Sequence, residues 1–212
     1  MSFKPIPRTL VSFAGLSQNP SQPWDSVLLV IDGQREYTTG KVPLSRIDAA
    51  VEEGARLLAF ARSWRMPVIH AIHHGRPGGV LFDPDGEGSK FITALAPRAG
   101  ETVLIKSLPN AFAGTDLAAR IRDTGRREIV IAGFATHMCV SATARSALDH
   151  GLRNTVVAAA TATRDLPRAT GAGITPAEWV QQATLAALAD RFSVVVQDTG
   201  ELSRSAKASR TG

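Results

Sequence analysis

"EIVIAGFATHMCVSATARSALDHG", residues Glu128–Gly151, decides how this chain is read. It begins with a short apolar, β-branched run, turns at a glycine, and continues with small apolar residues at helical spacing. A strand that passes straight into a helix is the repeating unit of a parallel α/β sheet. The run is apolar on both faces, as a strand covered on both sides must be. The only cysteine, Cys139, falls just past the turn. A lone cysteine is ordinarily a small buried hydrophobe, so its position decides whether it is anything more.

Five more runs of the same kind lie along the chain: 26–31 (SVLLVI), 67–72 (PVIHAI), 102–106 (TVLIK), 154–159 (NTVVAA) and 192–196 (FSVVV), with EIVIA at 128–132 as the fourth in order. Between the first two, Ile47, Ala50, Val51, Gly54, Leu57, Leu58 and Ala61 form one helical stripe that Pro67 stops. Thr115 is an N-cap candidate for the next helix, with Gly125 just past its end. Thr175 and Glu178 have capping-box spacing around Pro176. The pattern predicts a three-layer α/β/α sandwich on a six-stranded parallel sheet. Residues 74–101, rich in Gly and Pro, connect the second and third strands with room for one short helix; so long a loop is a candidate lid or pocket wall.

At 212 residues and 44% hydrophobic, the chain is long enough for one sizeable core. A single domain over 1–200 and a flexible polar tail over 201–212 are expected. No apolar run is long enough to span a bilayer and no leader pattern opens the chain, so a soluble cytoplasmic protein is expected. One cysteine excludes an intrachain disulfide and a multi-thiolate zinc site. The net charge of +5 owes three basic groups against one acid to the last twelve residues. Without a basic stripe carrying aromatics, it does not point to nucleic acid. No glycine-rich dinucleotide or nucleotide loop follows a strand, so no cofactor is expected.

Ligands of open parallel sheets bind beyond the carboxyl ends of the strands. Asp32 ends the first strand, Lys106 ends the third, and Cys139 enters the helix after the fourth, with Thr136 as its candidate N-cap. An acid, an amine and a thiol therefore share one rim. A helix N-terminus and an adjacent ammonium both favour a thiolate, so a lowered thiol pKa is expected. Asp32 can take the thiol proton and return it to a leaving group, while backbone N–H groups hold an oxyanion.

The stretches LLVIDGQ, VLIKSLPNAF and IAGFATHMCVSATARSALDHG, with Asp32, Lys106 and Cys139 in them, resemble the isochorismatase-like cysteine hydrolase superfamily, which includes nicotinamidases, N-carbamoylsarcosine amidohydrolases and ureido hydrolases. The resemblance spans about residues 25–200. It implies strand order 3-2-1-4-5-6, an Asp-Lys-Cys triad, a homo-oligomer (dimer or tetramer) and a non-proline cis peptide, here Phe134–Ala135, that aims the N–H of Ala135 beside that of Cys139 at an oxyanion. Metal-containing nicotinamidases carry an Asp-x-His pair and a further His after the second strand to hold a divalent ion. His70, His73 and His74 have no such companion here, so no metal is expected.

Pocket walls are assigned to Gln34, Tyr37, His74, Phe112, Phe134 and His137, with Tyr37 and Phe112 as an apolar box. The expected activity is hydrolysis of a non-peptide C–N bond in a small amide or ureide through a thioester on Cys139. The rival reading is isochorismatase-type vinyl-ether cleavage, for which Arg35 and Arg76 are candidate anion donors. A second rival is a non-catalytic scaffold that keeps the fold. Members that cleave isochorismate commonly lack the cysteine, and Cys139 favours acyl transfer.

Overall fold

The computed structural model describes residues 5–211. A one-turn helix, α1 (Leu10–Phe13), precedes β1 (Ser26–Ile31), α2 (Ile47–Ser63), β2 (Val68–His73), β3 (Thr102–Lys106), α3 (Leu117–Asp123), β4 (Glu128–Phe134), α4 (Ser141–Asp149) and β5 (Arg153–Ala162). A two-residue pair, β6 (Leu166–Pro167) and β7 (Ile174–Thr175), leads to α5 (Ala177–Arg191), β8 (Val194–Val196) and α6 (Thr199–Thr211).

All six expected strands form. They make one parallel sheet in the order β3-β2-β1-β4-β5-β8, the expected order with β8 as the sixth strand. Alternation along each strand divides the core into two layers. Leu28, Val30 and Val130 face Leu57 and Leu58 of α2 and Leu202 of α6. Leu29, Ile31 and Ile131 face Leu117 and Ile121 of α3, Ala144 and Ala147 of α4, and Leu188 of α5. Each such side chain contributes about 1.5–3 kcal/mol on full burial, and two such layers hold the strand ends in fixed register.

Local expectations are corrected in four places. The capping box at Thr175 and Glu178 does not form: Pro176 is the N-cap of α5, and the Ala177 N–H donates to Asp165 Oδ1 at 2.7 Å. Asp116, not Thr115, is the N-cap of α3, although the Thr115 hydroxyl accepts from the Leu117 N–H. Residues 201–211 are not a tail, because Leu202 and Ala206, one turn apart on α6, are buried. The 74–101 segment holds two 3-10 turns, Glu87–Ser89 and Thr93–Leu95, and is strapped down. Gln34, Arg35 and Glu36 bond to Ser89, Phe91 and Phe82 within it, and Arg35 pairs with Glu87.

Candidate active site

Strand register builds the site. Ile31 lies beside Ala71 on one flank and Gly133 on the other, and His73 lies beside Lys106, so the ends of β1 to β4 finish level. Close approach at this point demands glycine: a Cβ on Gly133 would sit 1.9 Å from the Ile31 carbonyl oxygen, and its φ is +113°. The next residue after β1, Asp32, takes a left-handed φ of +48°, uncommon for a residue with a side chain, and its N–H donates to the Ala71 carbonyl at 2.7 Å. This turn aims its carboxylate across the sheet ends.

Lys106 is 1% exposed and is therefore no snorkelling surface lysine. Its Nζ donates to Asp32 Oδ2 at 2.9 Å and to the Leu108 carbonyl at 3.3 Å, with Cys139 Sγ at 3.4 Å and His73 Nδ1 at 3.5 Å. Cys139, 4% exposed, sits on a π-helical turn, Thr136–Val140, that runs directly into α4. Extra-residue turns of this kind cluster at functional sites. The Phe134–Ala135 peptide before it is cis. Thr136 lies inside the turn rather than capping it; Ala135 precedes it.

The electrostatics correct one expectation. Burial pushes the Cys139 thiol up to about 12, and the neighbouring Asp32 charge adds to this; Lys106 only partly offsets them. The resting sulfur is a thiol, not the thiolate expected from the sequence. Burial also raises Asp32, against the pull of Lys106. Its Oδ1 is buried without a hydrogen-bond partner, and the thiol shares with this carboxylate the one Lys106 ammonium that reaches both. An unsatisfied buried oxygen next to a protonated thiol is a proton-transfer arrangement.

The surrounding residues fall partly outside their expected places. Gln34 is fully buried and spends its amide on backbone: Nε2 donates to the carbonyls of His73 and Ser89, and Oε1 accepts from the His73 N–H. It is a strap, not a wall. Phe112 stacks on His150 at 4.5 Å and does not form a box with Tyr37. The box consists of Tyr37 with Phe82 at 5.3 Å and Phe134 at 5.9 Å, and His73 lies edge-on to Phe82 at 5.1 Å. Burial and the Lys106 ammonium lower His73 to about 4, so its imidazole is neutral. His73, not His74, is the histidine that meets the trio, while His70 faces Glu101 at 3.0 Å. Among the described residues no cluster of histidine, cysteine and carboxylate side chains is arranged to hold a metal ion.

On the other flank, His137 Nδ1 meets the Thr163 hydroxyl at 2.5 Å, and its Nε2 is buried without a partner. Burial first, and Arg164 second, lower its pKa. A groove of about 770 Å³ between the starts of α2 and α5 and the end of β5 reaches Thr163, but no member of the trio lines it. The buried trio lies outside this groove.

The chain matches the sequence profile described as "Isochorismatase domain" over residues 26–199. It is 34% identical over 185 residues to a secreted isochorismatase effector of Verticillium dahliae, covering 87% of this chain and 94% of that protein. It is 38% identical over 146 residues to a maleamate amidohydrolase of Pseudomonas putida, covering 61% and 68%. Among solved structures, an isochorismatase from Pseudomonas putida superimposes with a TM-score of 0.87 at 39% identity, covering 92% of this chain and 99% of that one. No helix among the described residues is long and apolar enough to cross a membrane.

Proposed function

This chain belongs to the isochorismatase family of hydrolases, and from that premise we propose that it hydrolyses a non-peptide C–N bond in a small amide or ureide through a thioester on Cys139. The observation that carries the reading is the buried meeting of Cys139, Asp32 and Lys106, in which one ammonium bonds the carboxylate at 2.9 Å and stands 3.4 Å from the sulfur. The maleamate amidohydrolase relative is a named example of an amidohydrolase similar to this chain.

In this mechanism the thiolate forms only during reaction. Asp32, with its basicity raised by burial, takes the Cys139 proton as sulfur adds to the carbonyl carbon. The Lys106 ammonium stays charged beside both groups and holds the negative charge as it moves from carboxylate to sulfur. Backbone N–H groups of the Ala135–Cys139 turn stabilise the oxyanion. Asp32 then protonates the departing nitrogen, the C–N bond breaks, and a thioester remains. Asp32 next deprotonates a water, which attacks the thioester and releases the acid, and the proton returns to sulfur.

Arg164, at the end of β5, acts electrostatically on both Tyr37 and His137 and has no carboxylate partner in an ion pair among the described residues. It suits an acid group on the substrate, as in maleamate. A single cysteine that must stay reduced suits a reducing compartment such as the cytoplasm. The test is ammonia release across small amides and ureides, maleamate included, beside an isochorismate assay. The reading expects ammonia release that Cys139→Ala abolishes. Turnover of isochorismate alone, retained in Cys139→Ala, overturns it in favour of ether hydrolysis.

A further inference from the structure

Strand β2 delivers to the trio one imidazole that the mechanism leaves unused. His73 pairs with Lys106 across β2 and β3, and its Nδ1 lies 3.5 Å from the Lys106 Nζ. Its backbone is held by the Gln34 side chain: the His73 N–H donates to Gln34 Oε1 at 2.9 Å, and Gln34 Nε2 donates to the His73 carbonyl at 2.9 Å. The next N–H, that of His74, donates to the Lys106 carbonyl at 2.9 Å. The His73 ring rests edge-on against Phe82 at 5.1 Å, a contact that asks for a ring and not for a nitrogen.

An ammonium has three hydrogens to donate and accepts none. Four atoms compete for them at Nζ: Asp32 Oδ2 at 2.9 Å, the Leu108 carbonyl at 3.3 Å, Cys139 Sγ at 3.4 Å and His73 Nδ1 at 3.5 Å. The carboxylate and the carbonyl are strong oxygen acceptors and keep theirs. The third hydrogen is contested between a thiol sulfur, which accepts weakly, and the unprotonated nitrogen of an imidazole, which accepts well. Because lysine can only donate, Nδ1 is the acceptor and the imidazole hydrogen sits on Nε2. Burial and the ammonium hold His73 at about 4, so this acceptor persists through neutral pH.

We propose that His73 is a positioning residue for Lys106: its Nδ1 takes the third ammonium hydrogen while Cys139 is a thiol, and yields it to the sulfur as the thiol proton passes to Asp32. The exchange needs only a rotation about the Cε–Nζ bond. Once the proton is on Asp32, the sulfur carries the charge and becomes the stronger acceptor, while the ammonium keeps all three of its hydrogens. His73 thereby stabilises the resting thiol over the thiolate, and it acts on the sulfur only through the lysine. The proposal rests on Cys139 being the nucleophile.

The rate at which iodoacetamide alkylates Cys139 reads this balance, because only the thiolate reacts and the chain has no other cysteine. The full chain is followed by intact mass at pH 8 as wild type, His73→Phe and His73→Asn. His73→Phe keeps a ring against Phe82 and removes the acceptor. His73→Asn is smaller and keeps one, its Oδ1 at the same side-chain position as Nδ1. With no competitor for the third hydrogen, His73→Phe should be alkylated about fivefold faster than wild type, the worth of one hydrogen bond. His73→Asn should stay close to wild type. Access alone gives the opposite order, since asparagine opens more space than phenylalanine. His73→Phe no faster than wild type, or His73→Asn closer to His73→Phe than to wild type, overturns the proposal and leaves the nucleophile intact. Should His73→Phe fail to fold, His73→Leu, also without an acceptor, carries the same expectation and the same refutation. A Cys139 inert in every folded protein and alkylated only after unfolding overturns the nucleophile, and the proposal with it.

Discussion

Replacing Lys106 with methionine keeps the length of the side chain and deletes the ammonium that Asp32 depends on. Both side chains of the pair are fully buried, with Nζ 2.9 Å from Oδ2. A buried ion pair broken on one side costs about 3–5 kcal/mol, because the remaining charge keeps its desolvation penalty and loses its partner. In a chain of this size each kcal/mol lowers the melting point by about 2–4 °C, so Lys106→Met should melt about 6–20 °C lower at pH 7. The sign with pH is fixed as well. Burial already raises Asp32, and loss of the ammonium raises it further, so over a window above the wild-type value the folded variant holds a proton that folded wild type has released. The deficit is smallest below that window, where Asp32 is protonated in both folded proteins, and grows as pH rises through it. Adding Asp32→Asn removes the orphaned charge, and the double variant should be more stable at pH 7 than Lys106→Met alone. Denaturant unfolding of the three proteins at pH 4 and pH 7 decides. A Lys106→Met protein within 1 kcal/mol of wild type at pH 7, or a double variant no better than the single, refutes the ion pair as the anchor of the site.

Gly133→Ala should prevent folding or cost more than about 4 kcal/mol, since its Cβ would meet the Ile31 carbonyl at 1.9 Å in a backbone conformation alanine avoids; soluble expression and a melt check this. Glu101 is held at about 2 by Arg62, the Arg98 N–H and His70, against the burial that opposes them. Its folded value is depressed, so its stabilisation is complete above the ordinary 4.5 and fades as pH falls towards 2, with a ceiling of roughly 3 kcal/mol; Glu101→Gln should flatten the acid limb of a stability–pH curve. Ending the chain at residue 198 uncovers the faces that Leu202 and Ala206 fill on α2 and β8, and should lower stability by about 2–4 kcal/mol in urea unfolding, whereas a dispensable tail would leave it unchanged.

The strands and the trio were legible in the sequence because both are set by local pattern. Apolar runs of parallel-strand length mark the sheet, and functional side chains at strand ends inherit their common rim from its register. The residues that were not legible depend on exact boundaries or on three-dimensional burial. β2 runs to His73, one residue past the reading, and that residue carries His73 to the side of Lys106, whereas His74 leaves the sheet. Phe82 comes from a loop with no periodicity, and only the Gln34–Glu36 strap brings it to Tyr37. The thiol was misjudged because a helix start and an ammonium are visible in sequence, while the desolvation that outweighs them is not. On α6 a signal existed: Leu202 and Ala206 are four residues apart, masked by serines and basic residues around them.

The most direct measurement is the intact mass of the protein quenched in acid during turnover of maleamate, or of whichever amide releases ammonia, followed by peptide mapping. The account predicts a mass increase equal to the acyl group of that substrate, located on Cys139 and absent from Cys139→Ala. Turnover with no adduct on Cys139 under conditions that trap thioesters, or an adduct on another residue, contradicts it.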